Sequence, residues 1–86
     1  MSRQLTLIGR LGPIAYQEPP NGSAHASFDI IISRGSKTVP VPCEAWGILA
    51  EQAFSMEEDS LIGLIGRLTI DRTVRVEMLE PLGKPR

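Results

Sequence analysis

An all-β barrel of five short strands, with one helix between the third and the fourth, is the architecture this sequence predicts. Stretches alternating between apolar and polar residues recur along the chain, separated by turn residues, as in half-buried strands. One stretch alone, after Trp46, changes to a helical period. The pentapeptide Leu-Ile-Gly-Arg-Leu occurs at Leu7–Leu11 and again at Leu64–Leu68. Each copy is an apolar strand with a glycine at its centre. The repeat first suggests an internal duplication, but two strands meeting the same need for curvature in one barrel explain it better.

The chain has 86 residues, enough for one domain with a modest core that self-association would help to cover. No apolar run approaches the roughly 20 residues of a membrane helix, and Met1-Ser2-Arg3-Gln4 carries no apolar leader. The only cysteine, Cys43, cannot build an internal disulfide framework and suits a reducing compartment. With one His and one Cys, a zinc site built by the chain is not expected. Nine basic residues against ten acidic ones leave a net charge of −1. Phosphate neutralisation drives nucleic-acid affinity, so any basic footprint here must be local. The run Glu57-Glu58-Asp59 reads as a solvated loop.

From Arg3 to Leu11, Leu5, Leu7, Gly9 and Leu11 share the inward face, while Thr6, Ile8 and Arg10 point outward. Gly12 to Ser23 reads as a loop on its Gly-Pro, Pro-Pro and Asn-Gly pairs. In it, Tyr16 either packs the loop onto the barrel or offers a ring for base stacking. Ala24 to Arg34 is the second strand, with Ala24, Ala26, Phe28, Ile30 and Ile32 inward. Arg34-Gly35-Ser36-Lys37 is a short basic hairpin turn. Thr38 to Trp46 is the third strand, with Val39, Val41, Cys43 and Ala45 inward and Pro40, Pro42, Glu44 and Trp46 outward. Prolines two apart remove donors from the same side, which predicts an edge or a gap in the sheet there.

A short helix follows to Phe54, with Ile48, Leu49, Gln52 and Ala53 able to share a face and Leu49, Ala53 and Phe54 as anchors. After the linker Ser55 to Ser60, Leu61 to Ile70 reads as a fourth strand buried on both faces. Asp71-Arg72 is a tight turn. Thr73 to Glu80 is the fifth strand, with Val74, Val76 and Met78 inward, Arg75, Glu77 and Leu79 outward, and Pro81 as its stop. Strands in the order β-β-β-α-β-β make the pattern of the OB-fold, a small Greek-key barrel. The domain is expected to span residues 1–82, with 83–86 a short tail.

These residues resemble the bacterial single-stranded DNA-binding protein (SSB) family over nearly the whole length. Leu7-Ile8-Gly9-Arg10-Leu11-Gly12 looks like its opening strand, Pro20-Asn21-Gly22 its first turn and Phe28-Asp29-Ile30 its second strand. Ala45-Trp46-Gly47-Ile48-Leu49-Ala50-Glu51 looks like its approach to the helix. Gly66-Arg67-Leu68 and Val76-Glu77-Met78-Leu79 resemble its last two strands. The resemblance implies binding of single-stranded DNA, or RNA, on one barrel face by stacked aromatics and a basic groove, usually as a homodimer or homotetramer. The family usually carries stacking tryptophans near the positions of Ser36, Pro40 and Thr73; here only Trp46 keeps an aromatic at such a position. The family's long acidic-tipped tail, which recruits partners, has no counterpart in Gly83-Lys84-Pro85-Arg86. The short form is similar to primosomal replication protein N and to short SSB-like proteins of cyanobacteria and plastids.

Candidate nucleic-acid contacts are therefore Trp46 and Tyr16, with Arg34 and Lys37 at one hairpin, Arg72 and Arg75 at another, and Arg10 and Arg67 on the repeated strands. For each cation a solvated surface charge is the simpler alternative. Trp46 is either an exposed platform beside Pro40 and Pro42 or a lid on the core. Thr6, Ile8 and Ile65 face outward as apolar or half-apolar surface and are the expected oligomer interface. No enzymatic constellation is present: Asp29 and Asp71 lack carboxylate partners, and His25 between Ser23 and Ser27 reads as a strand residue. Leu-Ile-Gly-Arg-Leu is no phosphate loop. No cofactor is expected. Replication proteins are expected partners, and the bacterial cytoplasm or plastid stroma the location. The competing reading is a protein-interaction or assembly module that kept the barrel and gave up nucleic acid.

Overall fold

The computed structural model describes residues 3–85. Met1 and Ser2, where a leader was not expected, and Arg86, the end of the expected tail, lie outside the described residues. The strands are β1 (Gln4–Gln17), β2 (His25–Arg34), β3 (Lys37–Trp46), β4 (Leu61–Leu68) and β5 (Val74–Gly83), with helix α1 (Ile48–Phe54) between β3 and β4. They close into one barrel in the order β1-β2-β3-β5-β4, which is the expected OB topology. β1 serves two neighbours: its first half, Gln4 to Arg10, pairs with β4, and its second half, from Arg10 to Gln17, pairs with β2. Closure comes from a short parallel pairing of Cys43 with Val74 and Glu44 with Arg75.

The core holds Leu11, Ala26, Phe28, Ile30, Cys43, Ala45, Ile62, Leu64, Val74 and Val76, all buried. Alternation predicted those of β1, β2, β3 and β5, because each β-strand sends every second side chain to the same face; Ile62 and Leu64 come from β4, read as buried on both faces. Two glycines of the repeated pentapeptide let strands approach where a side chain would collide. A Cβ on Gly66 would sit 2.5 Å from the Arg75 carbonyl oxygen, and one on Gly9 would run into the Ile31 carbonyl.

Three expectations fail for one physical reason, the β-bulge. β1 does not end at Leu11 but continues through Gln17. Its register with β2 slips between Leu11 and Ile14, so the inward parity changes from odd to even and Ile14 and Tyr16 pack on the core. In β5, Ile65 pairs with Met78 but Gly66 pairs with Val76, leaving Glu77 as the extra residue. Met78 is consequently exposed and Leu79 buried, the reverse of simple alternation. A further slip between Leu61 and Ile62 lets β5 pass Pro81 and end at Gly83. Pro81 therefore does not stop the strand, and Gly83, read as tail, belongs to it.

β4 stops at Leu68. Leu68 and Ile70 are exposed, so burial on both faces holds only for its middle. The prolines of β3 do mark an open edge. A two-residue turn makes Arg34 and Lys37 a hydrogen-bonded pair, and such pairs alternate with open ones. In the observed register this puts Pro40 and Pro42 on the open pairs opposite Ile31 and Asp29. Their missing donors face away from β2, toward a side where β5 arrives only at Cys43.

α1 covers one end of the barrel through Ala50 and Ala53, and Gln52 Nε2 donates to the Leu79 carbonyl at 2.7 Å. Ile48 and Phe54, expected on its buried face, are exposed. Seven residues are too few for a broad apolar stripe, and the small alanines let the helix lie close to the strands.

Cys43 lies inside the barrel, where burial pushes its thiol up to about 12; it donates to the Val41 carbonyl at 3.4 Å. The thiolate is the reactive species, so the native protein is expected to resist a disulfide reagent at pH 8 and to react on denaturation. Fast labelling of the native protein in a colorimetric thiol assay would contradict this placement.

Candidate nucleic-acid interface

Trp46 is the last residue of β3. Gly47 follows with φ 63 and donates its N–H to the Ala24 carbonyl at 2.8 Å, turning the chain sharply into α1. The indole stays on the outward face and is 48% exposed, so it is a surface platform and not a lid. His25 sits opposite it in the β2–β3 register. The two rings lie 4.2 Å apart at 47°, so the imidazole supports one side of the indole while much of the rest meets solvent.

Glu44 stands two residues before Trp46 on the same face. One carboxylate oxygen lies 3.6 Å from His25 Nε2 and the other 3.5 Å from Arg75 Nη2. Arg75 is opposite Arg67 in the β4–β5 register, and Arg67 is opposite Gln4 in the β1–β4 register. Arg67 Nε donates to Glu77 Oε2 at 3.0 Å, and Gln4 Nε2 to Glu77 Oε1 at 3.4 Å. A polar belt thus crosses the outside of the barrel from His25 and Trp46 through Glu44, Arg75 and Arg67 to Gln4.

The other candidate cations are distributed differently. Arg34 and Lys37 are exposed on either side of the Gly35-Ser36 turn, roughly 30 Å from Trp46 along nine residues of strand. Arg72 lies in the β4–β5 hairpin with φ 63, near Ile70, which is almost fully exposed. Arg10 is engaged within the fold: its guanidinium donates to the Asp59 carbonyl at 3.3 Å and the Lys84 carbonyl at 3.1 Å, tying the linker and the segment after β5 to β1. Tyr16 is on a strand, not in a loop, and its ring stacks on Phe54 of α1 at 4.2 Å and 10°. Desolvation, reinforced by Glu18 and Glu51, raises its phenol above the ordinary value.

His25, Glu44 and Phe54 are the residues the sequence reading left out of the site. For His25 the signal was available. A two-residue turn at Gly35-Ser36 sets the register, and counting back from it puts His25 beside Trp46. Phe54 meets Tyr16 only because the bulge after Leu11 turns Tyr16 inward.

On the outside of β1, β4 and β5, Thr6, Ile8 and Ile65 line one cavity of about 210 Å³ together with Met78 and Leu82. Ile8, Met78 and Leu82 are exposed there. Among the described residues, no group of three or more His, Cys, Asp or Glu side chains could hold a metal, and no helix is long and apolar enough to cross a membrane.

No family model and no curated protein matches the chain. Solved structures do. The single-stranded DNA-binding protein from Thermus aquaticus is similar at TM-score 0.80 and 24% identity, over 96% of this chain and 41% of that one. This chain therefore spans about two-fifths of that protein's length. The second single-stranded DNA-binding protein from Mycobacterium smegmatis is similar at TM-score 0.79 and 18% identity, over 94% of this chain and 89% of its own. The protein priB from Ralstonia solanacearum is similar at TM-score 0.79 and 14% identity, over 92% and 97% of the two chains. At these identities the likeness establishes the fold: this chain is an OB barrel, with the five strands and the intervening helix of these structures.

Proposed function

We propose that this chain binds single-stranded DNA on the outer face of β2 and β3, with Trp46 as the stacking platform. The observation that carries the reading is the exposed indole, backed by His25 and set in a row with Pro40, Pro42 and Glu44 along β3, with Arg75 beside Glu44. The strand 2–3 face and the β1–β2 and β4–β5 loops are where OB barrels bind oligonucleotides. The named similarity of the Thermus aquaticus and Mycobacterium smegmatis structures supports the same reading. Arg72 lies on the β4–β5 hairpin, Arg34 and Lys37 at the β2–β3 turn at the far end of the same face, and Arg75 and then Arg67 lie beside the platform on β5 and β4. Arg10 and Tyr16 contribute at most at its margin, because their groups hold the fold together. The binding is weak for such a barrel, since a single exposed tryptophan and a net charge of −1 supply little stacking and little counterion release. Its setting is DNA replication, repair or recombination in the cytoplasm, as a non-enzymatic domain working with replication proteins.

Titration with oligo-dT, read by Trp46 fluorescence across a salt series, tests this. The expected result is quenching that weakens as salt rises. Absence of binding at low salt and micromolar protein would put the protein-interaction module in its place.

One observation favours association between copies: the apolar cavity around Thr6, Ile8 and Ile65. A homodimer formed there, doubled to a homotetramer or not, would cover Ile8 and Met78. Ile8→Glu is expected to weaken self-association at least tenfold, because it places a charge in an apolar contact. Light scattering at micromolar concentration checks it; a wild-type protein that is already monomeric would contradict the interface.

A further inference from the structure

We propose that Glu44 is a built-in competitor for phosphate, occupying Arg75, the cation beside Trp46 that a nucleic-acid backbone would otherwise engage. The inference rests on the proposed function and concerns the same face. Its starting point is the placement of the carboxylate. Parallel register sets Glu44 beside Arg75, and antiparallel register sets it opposite Ser27, two residues from His25 on the same face. Its two oxygens face two different donors, Arg75 Nη2 at 3.5 Å and His25 Nε2 at 3.6 Å. A phosphate with two free oxygens could present itself to these donors in the same way.

The lengths decide which ion pair yields. A charge-assisted N–H···O bond is at its best near 2.7–2.9 Å. Arg67 and Glu77, at 3.0 Å, are close to that. The Arg75–Glu44 contact is half an ångström longer, and the Arg75 side chain is 61% exposed. Exposed pairs of this kind contribute modestly, so Arg75 can leave Glu44 for a phosphate, with the lost pair subtracted from the affinity. Arg67 and Arg75 also face each other directly across β4 and β5, an arrangement of like charges that is unfavourable without nearby anions. Glu77 and Glu44 supply those anions in the free protein. A bound strand would supply one in place of Glu44.

Glu44 thus opposes binding twice, by repelling phosphate beside the indole and by holding Arg75. Bare charge is a poor ligand for such a face, and stacking on Trp46 becomes the condition of binding.

The test compares Glu44→Gln with Glu58→Gln, which removes the same unit of charge from the exposed linker. Both are titrated with oligo-dT beside wild type across a salt series. Glu44→Gln is expected to bind about fivefold more tightly at low salt. Its plot of log affinity against log salt should steepen, by up to about 0.7, as the Arg75–phosphate contact on a single strand no longer competes with a carboxylate. Glu58→Gln should leave the slope unchanged, and adding Arg75→Gln should abolish the gain of Glu44→Gln. If wild type binds and Glu44→Gln binds equally or more weakly, the competitor role is overturned while the proposed function stands. If wild type fails to bind and Glu44→Gln binds, the competitor role is supported and the function of the natural chain is overturned. If neither binds, both are overturned.

Discussion

Gly66→Ala is expected to destabilise the barrel by about 3 kcal/mol, at the upper end of the usual cost of overpacking. The added methyl has no room: its position lies 2.5 Å from the Arg75 carbonyl oxygen and 2.7 Å from Val74 Cγ1. The first of these is backbone in a paired strand and cannot move without opening the β4–β5 ladder. For a domain of this length total stability is on the order of 4–13 kcal/mol, so the loss is a large share, and the midpoint of thermal unfolding should fall by roughly 12–24 °C. Gly9→Ala meets the Ile31 carbonyl and Ile30 Cγ1 and should behave alike, and the double variant should be largely unfolded. Gly22→Ala is the matched control. Its nearest neighbour would be Pro19 Cγ at 3.5 Å, an ordinary contact, so its midpoint should stay close to wild type. Thermal denaturation followed by circular dichroism reads all four. A Gly66→Ala midpoint equal to that of Gly22→Ala would refute the close approach assigned to the repeated pentapeptide.

Trp46→Ala is expected to weaken binding of oligo-dT by about 5- to 150-fold, the equivalent of the roughly 1–3 kcal/mol that one base–aromatic stack contributes. The loss should be specific to binding. Trp46 is half exposed and lies outside the buried core, so its removal forfeits the contact with His25 but opens no cavity inside the barrel. Stability should change by about 0.5 kcal/mol or less, as for other surface substitutions. Trp46→Phe keeps a ring and should retain part of the affinity. Because the variants lose the fluorescent reporter, gel shift is the suitable readout. Equal binding by Trp46→Ala and wild type would remove the indole from the interface.

Most of this fold could be read from alternation and turn chemistry, because small barrels bury one face of each strand and expose the other. Leu5 to Leu11 and Ala24 to Ile32 follow that rule directly. Where it failed, an extra residue had been inserted into one strand of a pair. Tyr16 and Leu79 both lie beyond such bulges, and local sequence does not reveal where the register slips, since the slip answers to the neighbouring strand. Pro81 misled for a related reason: it lies beside a bulge in β5, where proline is tolerated. The site was legible in its platform and less so in its electrostatics. Trp46 could be placed outward by counting along β3. That Glu44 meets Arg75 depends on the parallel β3–β5 contact, which joins residues far apart in the chain. Arg10 looked like a surface cation until the Lys84 and Asp59 carbonyls came within its reach.

On the proposed function, one face of the barrel, centred on Trp46, takes the nucleic acid. Amide and indole chemical-shift mapping of the isotopically labelled protein during an oligo-dT titration tests it most directly. Shifts are expected to concentrate on His25, Glu44, Trp46 and Arg75, to reach the Arg34–Lys37 turn, and to spare Ile8, Ile65 and Met78. Shifts confined to Ile8, Ile65 and Met78, or no shifts at low salt, would contradict it.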